Sequence, residues 1–257
     1  MSVTDEHTWG DAPELYGPRH AFRESLLVRE IRSLPVPGRD ALDAGAGAGS
    51  MARTLARMGF CVTAVDGSPA FVDRIAGLLA AEPGGPHRAL RGDMGALPVP
   101  DASADLVVCA EVLEHLDDDA AAARDLRRVM RPGAGLVVSV PAGPFRYDWT
   151  DRWAGHRRRY TTEGLVDLLR DAGLQDVRAQ PWGFPVTGFY HRHVYRPMLR
   201  RRLARAGDGD AADGAGGMGP PNPWVGRVLG AAFQVDRLFL GRRPGYMGLI
   251  ATARAPS

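Results

Sequence analysis

Short runs of consecutive apolar residues alternate along the middle of the chain with stretches whose apolar positions recur every three or four residues. Residues 40–44, 60–65, 104–110 (ADLVVCA) and 135–140 (GLVVSV) are of the first kind. Continuous apolar runs of this length suit strands covered on both faces, as in a parallel sheet. Residues 50–58 are of the second kind, with Met51, Leu55 and Met58 on one helical face. Residues 69–79 open on Pro69, a proline placed for a first helical turn. Residues 117–130 run up to Arg131-Pro132-Gly133, a stop signal. Residues 161–172 begin with threonines that can cap a helix and end before Gly173. Strand and helix in this rhythm, from about residue 38 to 184, predict a doubly wound α/β sheet with helices on both faces.

The rhythm breaks near residue 186. Residues 189–205 carry six arginines and no acid. Residues 206–221 (AGDGDAADGAGGMGPP) hold six glycines, three aspartates and two prolines, the composition of a flexible loop. Asn222-Pro223 then supplies a cap and a first-turn proline, so a helix is expected, with Trp224, Val228, Ala232, Val235 and Phe239 as its buried stripe. Residues 245–253 read as a final strand. The expected organisation is one domain formed by 1–185 and 245–257, with 186–244 inserted between its last two strands as a helical lid.

Composition narrows the chemistry. The 32 basic residues are all arginine, against 30 acids, for a formal net charge of +2. With no lysine there is no Schiff-base amine and no Walker-type phosphate lysine. The two cysteines, Cys61 and Cys109, sit in apolar runs; so few thiols point to a reducing compartment, the cytoplasm, and their spacing forms no thiolate metal cluster, so no metal is expected. No stretch approaches the roughly 20 apolar residues of a membrane helix, and the first residues lack the apolar core of a secretory signal.

The strongest local signal is Leu42-Asp43-Ala44-Gly45-Ala46-Gly47-Ala48-Gly49-Ser50, a glycine-rich turn between a strand and a helix. Glycines there permit the tight turn and a close ligand approach to the backbone. The spacing Asp-x-Gly-x-Gly-x-Gly differs from the dinucleotide fingerprint. A second acid, Asp66, ends the next strand and is followed by Gly67 and Ser68; an acid at that position can accept both ribose hydroxyls. Arg91-Gly92-Asp93-Met94 follows a candidate third strand, and Cys109-Ala110-Glu111-Val112-Leu113-Glu114-His115-Leu116 ends the fourth.

The ordered set LDAGAGAGS, VDGS, GDM, VVCAEVLEHL and LRRVMRPGAGLVVSVP resembles the class I S-adenosylmethionine-dependent methyltransferases of the small-molecule type. The resemblance covers residues 38–184 and the last strand. It implies a Rossmann-like seven-stranded sheet of order 3-2-1-4-5-7-6 with the last strand antiparallel, and S-adenosyl-L-methionine as cofactor. It implies cofactor contacts from Asp43, Gly45, Ala46, Gly47, Gly49, Asp66, Gly67, Ser68, Asp93, Met94 and Glu111. Residues 1–37 resemble the family's cap helix, where Tyr16, Arg19 or His20 would meet the cofactor carboxylate. In that sheet order Cys61 and Cys109 stand two strand spacings apart, about 9.6 Å, beyond the roughly 7 Å reach of a disulfide.

Methyl transfer to an oxygen or an ammonium nitrogen releases a proton, so a general base is expected. Two histidines qualify. His115 follows the fourth strand, and His156 lies in Gly155-His156-Arg157-Arg158-Arg159-Tyr160, a segment after the fifth strand that is similar to one in many family members. In the other reading Arg158, Arg159 and Tyr160 only brace this loop against acids such as Asp148 and Asp151. The expected acceptor is a small molecule, a secondary metabolite or a glycosylated or lipid-like compound, methylated on oxygen before nitrogen. The alternatives are an RNA or protein methyltransferase and a cofactor-binding regulator without turnover. The arginines of 191–205 can be a solvated lid face, or can meet an anionic acceptor or a membrane surface; nucleic acid is not the expected partner, because aromatics are interleaved there.

Overall fold

The computed structural model describes residues 18–206, 223–241 and 246–257. Seven strands form one sheet: β1 (Asp40–Ala44), β2 (Cys61–Asp66), β3 (Arg88–Arg91), β4 (Ala104–Ala110), β5 (Met130–Pro141), β6 (Gln175–Trp182) and β7 (Gly248–Arg254). Their order is β3-β2-β1-β4-β5-β7-β6. The first five run parallel to one another, and β7 pairs antiparallel with both β5 and β6.

The helices are α1 (Pro18–Ser33), α2 (Ser50–Arg57), α3 (Pro69–Ala80), α4 (Asp119–Val129), α5 (Trp149–Trp153), α6 (Thr162–Asp171), α7 (Val186–Tyr190), α8 (Arg196–Ala206) and α9 (Pro223–Phe233). A π-turn over His191–Tyr195 joins α7 to α8. The apolar periodicity explains which face each helix covers. Phe22, Leu26, Leu27 and Ile31 of α1 join Met51 and Leu55 of α2 and Ile75 of α3 over one face of the sheet. Leu126 of α4 and Leu165 and Leu169 of α6 fill the other. Fully burying each leucine contributes roughly 1.5–3 kcal/mol. Local chemistry sets the starts: the Asp118 carboxylate accepts from the Ala121 N–H at 2.7 Å and the Thr161 hydroxyl from the Gly164 N–H at 2.9 Å.

Two expectations are corrected. The Arg131-Pro132-Gly133 signal ends α4 but does not make a free turn. β5 already begins at Met130, the pairing register slips opposite Ala104 and Leu106, and Gly133 takes φ 73°. The triplet is therefore a bulged strand entry, where proline can sit without breaking a ladder bond. Of the stripe expected to bury α9, Trp224, Val228 and Val235 face outward, 71%, 67% and 43% exposed, while Ala232 and Phe239 are half-buried, Phe239 against Phe184 at a ring distance of 5.7 Å. Phe233, fully buried, is the side chain that anchors α9, packing on Phe22 of α1 and Tyr190 of α7 at ring distances of 5.9 and 5.5 Å. The expected loop 206–221 lies outside the described residues except for Ala206, which ends α8, and Tyr16 lies outside them too.

Cys61 and Cys109 are free thiols on β2 and β4, with β1 between them. No described helix is long and apolar enough to cross a membrane.

Candidate active site

The carboxyl ends of β1, β2, β4 and β5 converge on one edge of the sheet, and the side chains of interest sit there. Gly45, Gly47 and Gly49 take φ of 74°, 52° and 84°, conformations that ordinary L-residues rarely adopt. A Cβ on Gly45 would stand 2.5 Å from Cγ2 of Val112, whereas one on Gly47 would meet nothing within 4 Å. The loop is thus packed at its base and open at Gly47. Ala46 donates to the Val65 carbonyl, tying the turn to β2.

Asp66 at the end of β2 holds that loop from the side. Its Oδ2 accepts from the Gly47 N–H at 2.8 Å and its Oδ1 from the Ser68 N–H at 2.9 Å. Each oxygen keeps a second lone pair for another donor. Gly67, next in the chain, leaves room above the Gly92 carbonyl. Asp93 is exposed and accepts from the Gly95 N–H at 2.7 Å, while Met94 beside it is buried. Below the loop, Asp43 is buried and its Oδ2 has no hydrogen-bond partner among the described residues. Burial, and secondarily the nearby Glu24 and Asp66, push its carboxyl up to about 7.

Glu111 leaves β4 with a left-handed φ of 58°. Its backbone N–H donates to the Ser139 carbonyl at 2.8 Å, and its Oε1 accepts from the Ser139 hydroxyl at 3.0 Å. Arg23 of α1 pairs with its Oε2 at 3.0 Å. Burial pushes the Glu111 carboxyl up, but the charges of Arg23 and His156 and the serine bond outweigh it, so it lies below its ordinary value. One turn earlier on α1, Arg19 donates to Nδ1 of His191 at 2.7 Å and lies 4.6 Å over the Tyr195 ring. Burial and Arg19 hold His191 down near a pKa of about 3.

Next to Glu111 lies a second group. Glu114 is wholly buried, and neither carboxyl oxygen has a hydrogen-bond partner among the described residues. Burial and the adjacent Glu111 push it well above the carboxylate range. His156 faces it, with Nε2 3.9 Å from Oε1 of Glu114 and Nδ1 2.8 Å from Oδ1 of Asp151. The His115 ring meets the His156 ring edge-on at 4.9 Å, and its Nδ1 lies 3.2 Å from the Gly155 carbonyl. Burial and the neighbouring His156 lower His115 to about 4. Both histidines named from sequence are therefore in one cluster. Glu114, His115 and His156 also bring one potential ligand atom each within 4.8 Å of one another, a donor set that a divalent transition metal would accept.

The residues around His156 explain its placement. Arg157 and Arg158 are staples: the Arg157 N–H reaches the Glu114 carbonyl at 2.7 Å, and Arg158 reaches the carbonyls of Leu116 and Asp117 at 3.0 and 2.8 Å. They fasten the loop after β5 onto the loop after β4. Asp151, absent from the sequence candidates except as a bracing partner, ties the loop that carries His156 to α5. Its Oδ2 accepts from the Asp148 N–H, while its Oδ1 takes both His156 and the Arg159 Nε–H at 2.7 Å. Burial works upward on Asp151, but the His156 and Arg159 bonds outweigh it and bring it down to about 2. Arg23 and Glu114 were also missed. Arg23 lies one turn after Arg19, a spacing that could have found it; Glu114 carries no signal apart from its place in EVLEH.

The geometry fits the cofactor that the motifs imply. A glycine turn open at Gly47, flanked by the carboxylates of Asp66, Asp93 and Glu111, suits a ligand rich in hydroxyl and ammonium donors that carries a positive charge. The sequence pattern of the methyltransferase domain family matches residues 42–138. The chain is 31% identical over 211 residues to the Mycobacterium tuberculosis H37Rv protein named Probable S-adenosylmethionine-dependent methyltransferase, covering 80% of this chain and 69% of that one. It is 33% identical over 198 residues to a ubiquinone biosynthesis O-methyltransferase of Xanthomonas euvesicatoria, covering 68% and 80%. Among solved structures, the [4+2]-cyclase SpnF shares the fold at TM-score 0.61 and 23% identity, over 91% of this chain and 81% of that one. From Haemonchus contortus, phosphoethanolamine N-methyltransferase 2 in complex with S-adenosyl-L-methionine shares it at TM-score 0.61 and 16% identity, over 91% and 52%. Motif order, sheet order and relatives agree: the chain belongs to the S-adenosylmethionine-dependent methyltransferases.

Proposed function

We propose that the enzyme methylates a hydroxyl oxygen of a small lipid-like acceptor, with His156 as the general base. The observation that carries this reading is the Asp151–His156 pair at 2.8 Å. An ionised carboxylate only accepts, so Nδ1 of His156 carries the ring proton and Nε2 presents the lone pair. Asp151 then fixes the ring and steadies the imidazolium that forms when Nε2 takes the hydroxyl proton. Burial and the adjacent Glu111 push the Glu114 carboxyl well above its ordinary value, which weakens it as a second negative charge facing Nε2.

S-adenosylmethionine supplies an activated, electrophilic methyl group when bound. In this reading Gly45, Ala46, Gly47 and Gly49 shape the cradle, and Asp66 with Gly67 and Ser68 takes the ribose hydroxyls. Asp93 and Met94 flank the base, one by hydrogen bond and one by packing. Asp43, Glu111 and Arg19 serve the amino-acid end. Residues 1–185 and 245–257 then form the cofactor domain, and 186–244 the lid over the acceptor. Because the donor is already activated, the main protein tasks are alignment and proton removal.

The names of two relatives support a lipid-like acceptor: a 2-methyl-6-phytyl-1,4-hydroquinone methyltransferase of Synechocystis, 31% identical over 224 residues, and the ubiquinone O-methyltransferase above. The test is transfer of labelled methyl groups by the purified enzyme to prenylated hydroquinones and catechols. Label on oxygen is expected. Label found only on amines, RNA or protein would overturn the reading, as would cofactor binding with no transfer at all.

A further inference from the structure

The described chain exposes ten large apolar side chains, and eight of them lie between Phe189 and Leu238. Five are on α9 and the 3-10 turn that continues it: Trp224, Val225, Val228, Val235 and Leu238. Trp224, Val228, Val235 and Leu238, with Ala231 between, recur every three or four residues, so they make one stripe along the element. Trp224, Val228 and Leu238 are 71%, 67% and 72% exposed. A stripe this regular, with Val228, Val235 and Leu238 exposed among the described residues, marks an interaction surface.

Along the described elements that carry it the exposed charges have one sign, and Asp148, from the residue before α5, meets Arg196 at 3.0 Å. On α9 and its extension the exposed charged groups are Arg227 and Arg237, and the lone acid, Asp236, is buried. Asp236 is spent inside, accepting the N–H groups of Val186 and Thr187 at 2.7 and 2.9 Å. That bond and the Tyr190–Phe233 contact place α7 beside α9. The continuation of α7 is equally one-sided. Arg192, Arg200 and Arg201 are exposed, together with Phe189, Val194 and Met198, and no acid occurs from 186 to 206. Arg192, Arg196, Arg200 and Arg201 line a cavity of about 510 Å³ with Trp149.

We infer that the outward faces of α8 and α9 dock the enzyme on an anionic lipid bilayer. Apolar side chains with tryptophan, flanked by arginine and with no exposed acid along the described helices, are what an element lying in the headgroup region requires. Arginines near such a surface are drawn to its anionic headgroups. A nucleic-acid surface would present the arginines without the uncovered valines and leucine, and a self-association surface would not require the acids to be excluded. The inference does not depend on the acceptor proposed above; it places the lid at the boundary from which a lipid-phase acceptor would enter.

The test is flotation of the full chain with vesicles of phosphatidylglycerol and phosphatidylcholine in equal parts, against vesicles of phosphatidylcholine alone. Binding to the anionic vesicles is expected, weakening as salt is raised. In the variant Val228→Asp/Leu238→Asp, partitioning should fall about tenfold or more, while S-adenosylmethionine binding by calorimetry stays unchanged and shows that the variant is folded. A second variant, Arg200→Gln/Arg201→Gln, should lose the preference for anionic vesicles. Absence of wild-type binding in low salt would overturn the proposal. So would undiminished binding by the aspartate variant, or a wild-type dimer in sedimentation velocity that this variant dissociates.

Discussion

His156 and Asp151 are five residues apart in sequence and joined by a 2.8 Å contact that spans the end of α5. The same Asp151 carboxylate closes the first turn of that helix. The His156 ring and the helix that carries its partner are therefore set by one side chain. His156→Ala should lower kcat about 10²–10⁴-fold and leave cofactor affinity unchanged. Asp151→Asn should also lower kcat, because the amide no longer selects the Nδ1–H tautomer. Steady-state transfer of labelled methyl, beside calorimetry with S-adenosylmethionine, reads both; full turnover in His156→Ala would remove histidine from the proton path.

Gly45 and Gly47 separate packing from ligand access. Gly45→Ala puts a Cβ against Val112 at positive φ and should cost about 1–3 kcal/mol of stability, seen as a lowered Tm. Gly47→Ala meets open space and should cost only about 1 kcal/mol, yet weaken cofactor binding because the methyl fills the cradle. Equal losses of Tm with unchanged affinity in both would contradict the assigned cradle.

Asp43 predicts an unusual pH dependence. Its folded-state pKa, about 7, lies above the unfolded value of 3.8, so the folded state holds the proton longer. Stability from this group is full at acid pH and is lost as pH rises from about 4 to 7. Glu24, lowered to about 2 by hydrogen bonds that outweigh its burial, acts in the opposite sense and below that window. Asp43→Asn should therefore raise Tm relative to wild type at about pH 8 and change it little at about pH 4. A wild-type melting temperature that climbs between those two values, with no gain in the variant, would refute this.

If His156 is the base, dialysis against a chelator leaves turnover unchanged. Loss of activity restored by a divalent ion would instead assign Glu114, His115 and His156 to a metal, and the acceptor's ionisation to that metal.

The strands and the cofactor motifs were legible because their signals are local. ADLVVCA is β4 residue for residue, and Asp66 ends β2 where the apolar run meets a turn. The sheet order came with the motif set rather than with periodicity. What stayed hidden depends on contacts between distant segments. Glu114 reads as one more acid of EVLEH until the loop after β5 brings His156 against it. Of the stripe expected on α9, Trp224, Val228 and Val235 lie on the outward side and Ala232 and Phe239 do not. Periodicity states that a helix has an apolar face, not what covers it, and here Phe233, with Leu229 and Leu240 packed beside it, provides the inward anchor.

Trp182 and Gly248, the last and first residues of β6 and β7, are paired neighbours in the sheet. Everything between them leaves and re-enters the fold through one doorway. Closing a longer or shorter excursion there changes loop entropy by only about 0.6 kcal/mol per doubling of length, and no strand has to move. That segment can therefore vary in length at small cost to the sheet, provided it keeps the contacts that Phe233 and His191 make with α1.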